Sequence, residues 1–386
     1  MLNMTPRKFF RWRFRNSLHN SQSCQDSPLS FNVGKNGGPV KFLFLLLLPL
    51  FAHASPKFMH PWQWYSDPNL MSQDLERNLS KLPLEANVDA GERFWSGDYW
   101  ALNRGNINYR WHAQRRAGFN LRSPSMEEAK RMTLAQLSEL SPSEKYDLYT
   151  GRYDYPLKLE VEKISANRNA ESWEGICHGW APATMNHQEP TPKAAMNPDG
   201  IMIPFGSSDI KALVSWYYAN GFISDTHQMG QRCYGDGSED ECREDMNAGA
   251  FHIVLTNKIA LRNEGIIVDL KHGEEVWNHP LKSYRTELLK MGKPKSDSAP
   301  GTVKRAKMKT LLRVIGGTGN FWGVVRGTSD QKESTQKYVY HLDLNASGEI
   351  IGGDWESDER PDFLWVKYRP EAFIGILSRL ENLLND

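Results

Sequence analysis

The chain has 386 residues, enough for one large domain or two ordinary ones with a sizeable core. Its 47 Lys and Arg residues almost balance its 46 Asp and Glu residues, and the formal net charge of +1 gives no basis for a nucleic-acid partner or an anionic membrane surface. Aromatic residues are frequent, and we expect most of them in a core; an aromatic surface that grips peptide or glycan is the alternative.

Residues 40–54 have the pattern of a secretory signal peptide. A basic start precedes an apolar run of about ten residues, and Ala52–Ala54 form an Ala-x-Ala end. The run is shorter than the ~20 apolar residues of a transmembrane helix, and no second run of that length follows. We therefore expect cleavage after Ala54 and a secreted or periplasmic protein without a membrane span. The polar, basic residues 1–39 indicate either a translation start near Val40 or a long signal n-region.

Residues 55–165 are predicted to form an N-terminal helical region with irregular links. "DLERNLSKLPLE" has leucines at helical spacing, and "SMEEAKRMTLAQLSELSPSEKYDLYTG" predicts two helices that separate near Ser141 and Pro142. Ser125 with Glu128 predicts a capping box at the first of them. The aromatic, glycine-bearing stretch "RFWSGDYWALNRGNINYRW" is typical of an ordered loop or lid.

Residues 166–386 are predicted to form the second, catalytic domain. "GIMIPFGSSDIKALVSWYYANG" predicts a strand, a helix N-cap at Ser208 and a helix end at Gly221. The tail "EAFIGILSRLENLL" predicts an amphipathic helix. Helices first and antiparallel strands later indicate an α+β fold. The β-rich runs are "GAFHIVLTNKIAL", "EGIIVDLKHGEEVWN", "MKTLLRVIGG", "QKYVYHLDLNASGEIIGGDW" and "DFLWVKYRP".

The cysteine count leaves one thiol over. Cys24 precedes the expected cleavage site, so the mature protein keeps three cysteines and at least one is unpaired in a monomer. Cys233 and Cys242 bracket a short polar loop, and we expect them to form a disulfide in an oxidising compartment. A metal site made of these two and a histidine is the alternative, although its spacing matches no common zinc pattern. Cys177 is then the free thiol.

This thiol lies where a helix is expected to begin. Pro182 favours the first turn of a helix, which places Cys177 at or just before its N-terminus. There the helix dipole lowers a thiol pKa, and backbone N–H groups can bind a developing oxyanion. Cys177 is therefore the candidate nucleophile, and a buried structural cysteine is the alternative.

A cysteine nucleophile needs a base, and His252 is the candidate. His178 adjoins Cys177, but neighbouring helical side chains diverge. His252 lies in "AFHIVL", a predicted strand, where a buried imidazole needs a partner or a function; a satisfied core histidine is the alternative. Asp269 ends the next predicted strand, and a hairpin would let it orient His252. The order Cys, His, Asp is papain-like. Weaker candidates for the orienting role are Asp245, Asn278 and Asp354.

Four separated motifs carry a resemblance: "SWEGICHGWAPA", "NAGAFHIVLTN", "VWNHPLKSY" and "GGDWESDERPDFLW". Together they resemble the transglutaminase-elicitor family of oomycetes and some bacteria, over roughly residues 90–370. The segment Val276 to Glu287 is similar to the peptide region for which plants recognise the oomycete members, with Trp277 and Pro280 at its key positions.

The resemblance implies a papain-like fold and a calcium-assisted protein-glutamine γ-glutamyltransferase. It implies Cys177 as nucleophile, His252 as base and Asp269 as third member, with a protein glutamine as donor and a lysine or other amine as acceptor. Trp173 and Trp180 flank the nucleophile and are candidates for the acyl-donor channel; core packing is their alternative. The same triad would serve a secreted cysteine peptidase or a glutamine deamidase. A non-catalytic, elicitor-like binding protein is the third alternative.

The implied calcium has no clear loop in the sequence. Residues 236–245 are acidic but lack the glycine that an EF-hand loop needs at its sixth position. Residues 343–354 resemble a calcium loop formally, but the flanking strands favour a tight hairpin turn at Asn345 to Gly348. No metal ligands are therefore assigned.

Overall fold

The computed structural model describes residues 62–88, 91, 93–112, 115–221, 226–232 and 246–385. The expected signal peptide, the expected disulfide between Cys233 and Cys242, the acidic segment 236–245 and the candidate Asp245 lie outside these residues. Within them, no helix is both long and apolar enough to cross a membrane.

Residues 62–165 contain short helices joined by irregular segments. The stretch in which two helices were predicted forms three, because Thr133 opens an additional capping box between those of Ser125 and Ser141. The predicted capping box of Ser125 with Glu128 is present. "DLERNLSKLPLE" forms only a 3-10 turn, Leu79–Lys81, where a helix was predicted. The elements are β1 (Glu85–Asn87), α1 (Met126–Arg131), α2 (Leu134–Ser138), α3 (Pro142–Tyr149) and α4 (Pro156–Ile164).

An antiparallel sheet forms the centre of the described chain. Its order is β4-β10-β5-β6-β7-β8-β9, with β1 paired to β6. A separate hairpin is made of β2 (Lys193–Met196) and β3 (Met202–Phe205). The strands of the main sheet are β4 (Thr226–Gly230), β5 (Ile266–Asp269), β6 (Asn278–Gly292), β7 (Lys304–Ile315), β8 (Glu333–Leu344), β9 (Ile350–Trp355) and β10 (Phe363–Lys367).

Two helices pack on this sheet, α5 (Cys177–Asn186) and α7 (Ala248–Thr256), and a third, α6 (Ser207–Trp216), packs on α5. Helix α5 contacts both α6 and β6. Gly179 permits the close approach of α5 to α6, since a Cβ there would lie 2.0 Å from the carbonyl oxygen of Ser215. Helix α7 lies against β8 and β9, with the ring of Phe251 among aromatic rings of these strands. The architecture is therefore a mixed helix and antiparallel-sheet fold.

The prediction of a strand over "GAFHIVLTNKIAL" is wrong, because this segment is helix α7 followed by the turn Asn257–Leu261. Asn247 caps the helix by accepting from the N–H groups of Gly249 and Ala250. Every residue of α7 is buried, so its apolar run has no helical period. The predicted hairpin between this segment and β5 is therefore absent, and β5 lies between β10 and β6.

Two smaller predictions also differ from the structure. Helix α6 begins after Gly206 rather than at Ser208, whose hydroxyl accepts from the N–H of Phe321. The tail forms the 3-10 turns Gly375–Leu377 and Leu380–Leu383 instead of an amphipathic α-helix. Most of its apolar side chains are nevertheless buried, and Ile374 and Ile376 are exposed, which accounts for the amphipathic pattern in the sequence.

Candidate active site

Cys177 is the first residue of helix α5, as the sequence predicts. The residues before it are held by Tyr99, whose carbonyl oxygen accepts from the N–H of Ile176 at 2.7 Å. A Cβ on Gly175 would lie 2.4 Å from that oxygen, so only glycine fits there. Pro182 is inside the helix rather than in its first turn. The start of α5 is therefore set by contacts with the loop around Tyr99.

The sulfur of Cys177 contacts the start of strand β6. Asn278 Nδ2 donates a hydrogen bond to Cys177 Sγ at 3.4 Å, and the thiol lies 3.7 Å from the carbonyl oxygen of Val276. Trp365 Nε1 on β10 donates to Asn278 Oδ1 at 2.7 Å. Because the indole can only donate, the amide oxygen must face it and the NH₂ group must face the sulfur. Asn278, a weaker candidate in the sequence, is thus a direct neighbour of the thiol.

Asp269 ends strand β5 and is the register partner of Asn278. Its side chain is buried; Oδ1 accepts from the N–H of Trp277 at 3.2 Å, and Oδ2 has no hydrogen-bond partner. Burial, and next the charge of Asp362, raise the pKa of Asp269 to about 8. A carboxyl group with this pKa exchanges a proton near neutral pH, which is the property of a general base.

The pKa of the Cys177 thiol is raised, mainly by burial and further by the charge of Asp269. Hydrogen bonds from the side chain and backbone of Asn278 and from the backbone of His178 act in the opposite direction. The lowering expected from the helix N-terminus is therefore outweighed by desolvation. At rest the sulfur carries its proton, and a base is needed to remove it.

Among the described residues, no hydrogen bond joins His252 to Cys177. Its Nδ1 lies 2.8 Å from the hydroxyl of Tyr340, which also contacts Thr310 at 2.6 Å. Burial lowers the pKa of His252 to about 4, so the ring is neutral. It lies on α7 against β8, whereas Cys177 begins α5 and its sulfur contacts Asn278 on β6, the strand residue paired with Asp269. These are the contacts of a satisfied core histidine, and the catalytic role assigned to His252 stays a prediction without a supporting contact.

The candidate tryptophans lie in different environments. Trp180 is buried, and a Cβ on Gly97 would lie 2.9 Å from its Nε1, so its contacts are those of the core. Trp173 is half-buried, with the guanidinium of Arg232 at 5.7 Å from its ring centre. Trp277, named in the sequence only through the resemblance, adjoins Asn278 and meets Tyr99 edge-to-face at 5.4 Å. The role predicted for Trp173 and Trp180 in an acyl-donor channel stays a prediction.

The formal calcium loop is a hairpin turn, as favoured from the sequence. Asn345 Oδ1 accepts from the N–H groups of Ser347 and Glu349, at 3.0 and 2.9 Å. Asp343 accepts from Arg305 on β7, and Asp354 on β9 forms an ion pair with the same guanidinium. Asp354 therefore does not orient a catalytic base. The oxygens of this loop are thus occupied and do not fit calcium. Across the residues that the structure describes, no three His, Cys, Asp or Glu side chains gather as a metal site.

The fold and the site define a class: an α+β protein with a buried cysteine at a helix start. Its sulfur accepts from an asparagine amide on an antiparallel sheet, and a buried carboxyl group is the register partner of that asparagine. The chain belongs to the transglutaminase elicitor family, which it matches over residues 68–376. Its fold is similar to that of the GP42 transglutaminase from Phytophthora sojae, known from a crystal structure. The TM-score is 0.61 at 23% identity, with 80% of this chain and 92% of that chain covered. No curated protein matches this sequence.

Proposed function

We propose that the protein is a protein-glutamine γ-glutamyltransferase with Cys177 as its nucleophile. The observation that carries the proposal is the cluster in which Asn278 donates to Cys177 Sγ and Asp269, the register partner of Asn278, keeps an unpartnered buried oxygen. Membership of the transglutaminase elicitor family supports this chemistry. A thiol at a helix start against an antiparallel sheet supports the papain-like interpretation of the core.

The reaction begins with transfer of the thiol proton of Cys177 to the carboxylate of Asp269. The sulfur attacks the γ-carboxamide carbon of a protein glutamine, and the C=O electron pair moves onto oxygen. When the C–N bond breaks, Asp269 returns the proton to the leaving nitrogen, and ammonia departs from a thioester. A lysine amine then attacks the thioester carbon and loses a proton to Asp269. The C–S bond breaks, the sulfur is reprotonated, and an ε-(γ-glutamyl)lysine bond remains.

Asn278 has a positioning role in this proposal. Its NH₂ group, fixed by Trp365, stabilises the thiolate that forms when the proton leaves. The proposal replaces the predicted triad with Cys177 and Asp269, because His252 contacts Tyr340. Removing His252 should therefore affect the fold more than the chemistry.

Export and calcium dependence belong to the proposal as well. The signal-peptide pattern of residues 40–54 supports a secreted protein. Calcium has support from the family resemblance alone, and no step of the reaction above uses a metal.

The test uses protein beginning at Ser55, a glutamine-containing protein and a fluorescent primary amine, with and without calcium. We expect amine incorporation that Cys177→Ala and Asp269→Asn abolish, and that rises with pH until Asp269 ionises near pH 8. Ammonia release without incorporation would assign a deamidase, and cleavage of the protein a peptidase. Absence of all three signals in folded, reduced protein would reject the enzyme and favour a binding protein.

A further inference from the structure

A cavity of about 560 Å³ lies beside the loop that holds the start of α5. Aromatic rings form one wall, among them Tyr109, Phe321 and Trp322, all half-exposed. Trp111 and His112 also line the cavity. Its charged and amide groups are Asp98, Arg104, Arg115 and Asn320. The volume is in the range of sites that hold small ligands or single side chains of a partner.

Hydrogen bonds fix the ring of Trp111 and the backbone that carries Phe321 and Trp322. Trp111 Nε1 donates to Asp209 Oδ1 at 2.8 Å, and Lys145 Nζ donates to Asp209 Oδ2 at 2.6 Å, both in the core below the cavity. The N–H of Phe321 donates to Ser208 Oγ at 2.8 Å, and the carbonyl oxygen of Trp322 accepts from the N–H at the first residue of α6 at 2.7 Å. A wall built on a fixed backbone loses less entropy on binding an apolar group than one on a mobile loop.

The charges around the cavity disfavour a cationic ligand. The Lys145 ammonium lies 5.3 Å from the ring centre of Trp322, so this ring already interacts with a cation of the protein. Asp98 is engaged, since it accepts from the N–H of Trp100 at 3.1 Å and from Asn320 Nδ2 at 2.6 Å. Arg115 is exposed at the rim. Its guanidinium suits a carboxylate, which it can bind through two parallel hydrogen bonds.

The cavity is connected to the candidate active site through Tyr99. Asp98 lines the cavity, and the next residue, Tyr99, accepts from the N–H of Ile176 directly before Cys177. The ring of Tyr99 also meets Trp277, the neighbour of Asn278. Consecutive Cα atoms are about 3.8 Å apart, so a peptide bound across this loop would reach both places with a few residues.

We propose that this cavity is a specificity subsite that holds an aromatic side chain next to an acidic residue of the protein substrate. The aromatic side chain packs on the wall that contains Phe321 and Trp322, and the acidic side chain binds Arg115 at the rim. The inference rests on the proposed transferase function, whose glutamine would lie at Cys177.

The experiment uses glutamine peptides in which a Phe-Glu pair is moved one residue at a time on either side of the glutamine. Alanine replaces both residues in the parent peptide. We expect one register to raise kcat/KM about tenfold, the gain typical of one aromatic anchor with a charge contact. Trp322→Ala should remove the benefit of Phe, and Arg115→Glu the benefit of Glu. Turnover of a glutaminyl dipeptide, too short to reach the cavity, is the reference to which the kcat/KM of each longer peptide is compared in every variant.

Two controls match these variants outside the cavity. Trp64→Ala removes an indole that is 69% exposed, and Arg131→Glu reverses an exposed arginine at the end of α1. Both should keep the preferred register. A peptide series without a preferred register, or a preference that survives Trp322→Ala and Arg115→Glu, would overturn the subsite.

Peptide binding to Cys177→Ala, followed by fluorescence anisotropy, separates the subsite from the chemistry. If no peptide is turned over but binding shows the preferred register, the transferase proposal fails and the subsite stands. If dipeptide and peptides are turned over equally well in every register and binding shows no preference, the subsite fails and the transferase stands.

Discussion

Replacing Asp269 with asparagine should abolish turnover and stabilise the fold. The buried carboxyl has a pKa of about 8 in the folded protein, against 3.8 for an unperturbed aspartate. At pH 7 the folded state holds its proton while the unfolded state has lost it, so this group costs about 1.4 kcal/mol for each pH unit above 3.8, or about 4 kcal/mol. Asparagine keeps the oxygen that accepts from Trp277 and carries no ionisable group.

Urea unfolding at several pH values between about 4 and 9 measures this difference. Because the folded pKa is raised, the contribution of Asp269 to stability is complete below pH 3.8, falls as pH rises, and levels off above about 8. The difference in unfolding free energy between Asp269→Asn and wild type should therefore grow in favour of the variant as pH rises through this window. Asp154→Asn is the control, since Arg152 lowers the pKa of that exposed carboxylate. Equal pH dependence in wild type and Asp269→Asn would refute the assignment of a raised pKa, and undiminished turnover would refute its role as base.

Three further substitutions test the site. Asn278→Ala should raise the pKa of Cys177, seen in the pH dependence of iodoacetamide alkylation, and slow acyl-enzyme formation about 10- to 100-fold. His252→Asn should cost about 1–2 kcal/mol in urea unfolding yet retain amine incorporation; it should also remove the loss of stability that wild type shows as pH falls from 6.5 towards about 4. Gly175→Ala should cost both activity and about 1–3 kcal/mol of stability, because its Cβ meets a backbone carbonyl at 2.4 Å. Unchanged alkylation in Asn278→Ala would contradict the first expectation, and lost amine incorporation in His252→Asn the second. Unchanged stability of Gly175→Ala would contradict the third.

The sequence located Cys177 and Asp269 because both lie at the ends of elements with local signals. A glycine and a proline near Cys177 marked the start of α5, although Pro182 lies deeper in the helix than expected. The buried run that ends at Asp269 is a strand of four residues, short enough to be recognised by its β-branched composition.

His252 and Asn278 show what the sequence could not give. The run around His252 is apolar on every side because α7 is buried all round, so neither helical nor strand periodicity is visible. Asn278 reaches Cys177 only through the pairing of β5 with β6 and the donor of Trp365, which is 87 residues away. Contacts of this kind depend on tertiary register, which a single sequence does not reveal.

The burial of Cys177 also bears on how long the protein can remain chemically intact. Oxidants attack the thiolate, and a cysteine that is only 6% exposed, with a thiol pKa raised by burial, offers them little of that form. In the proposed transferase, a nucleophile that is generated only when substrate and base are in place is thereby protected from sulfenic acid formation and from mixed disulfides. In an oxidising medium, the burial that slows the resting thiol would then set the working lifetime of the proposed enzyme.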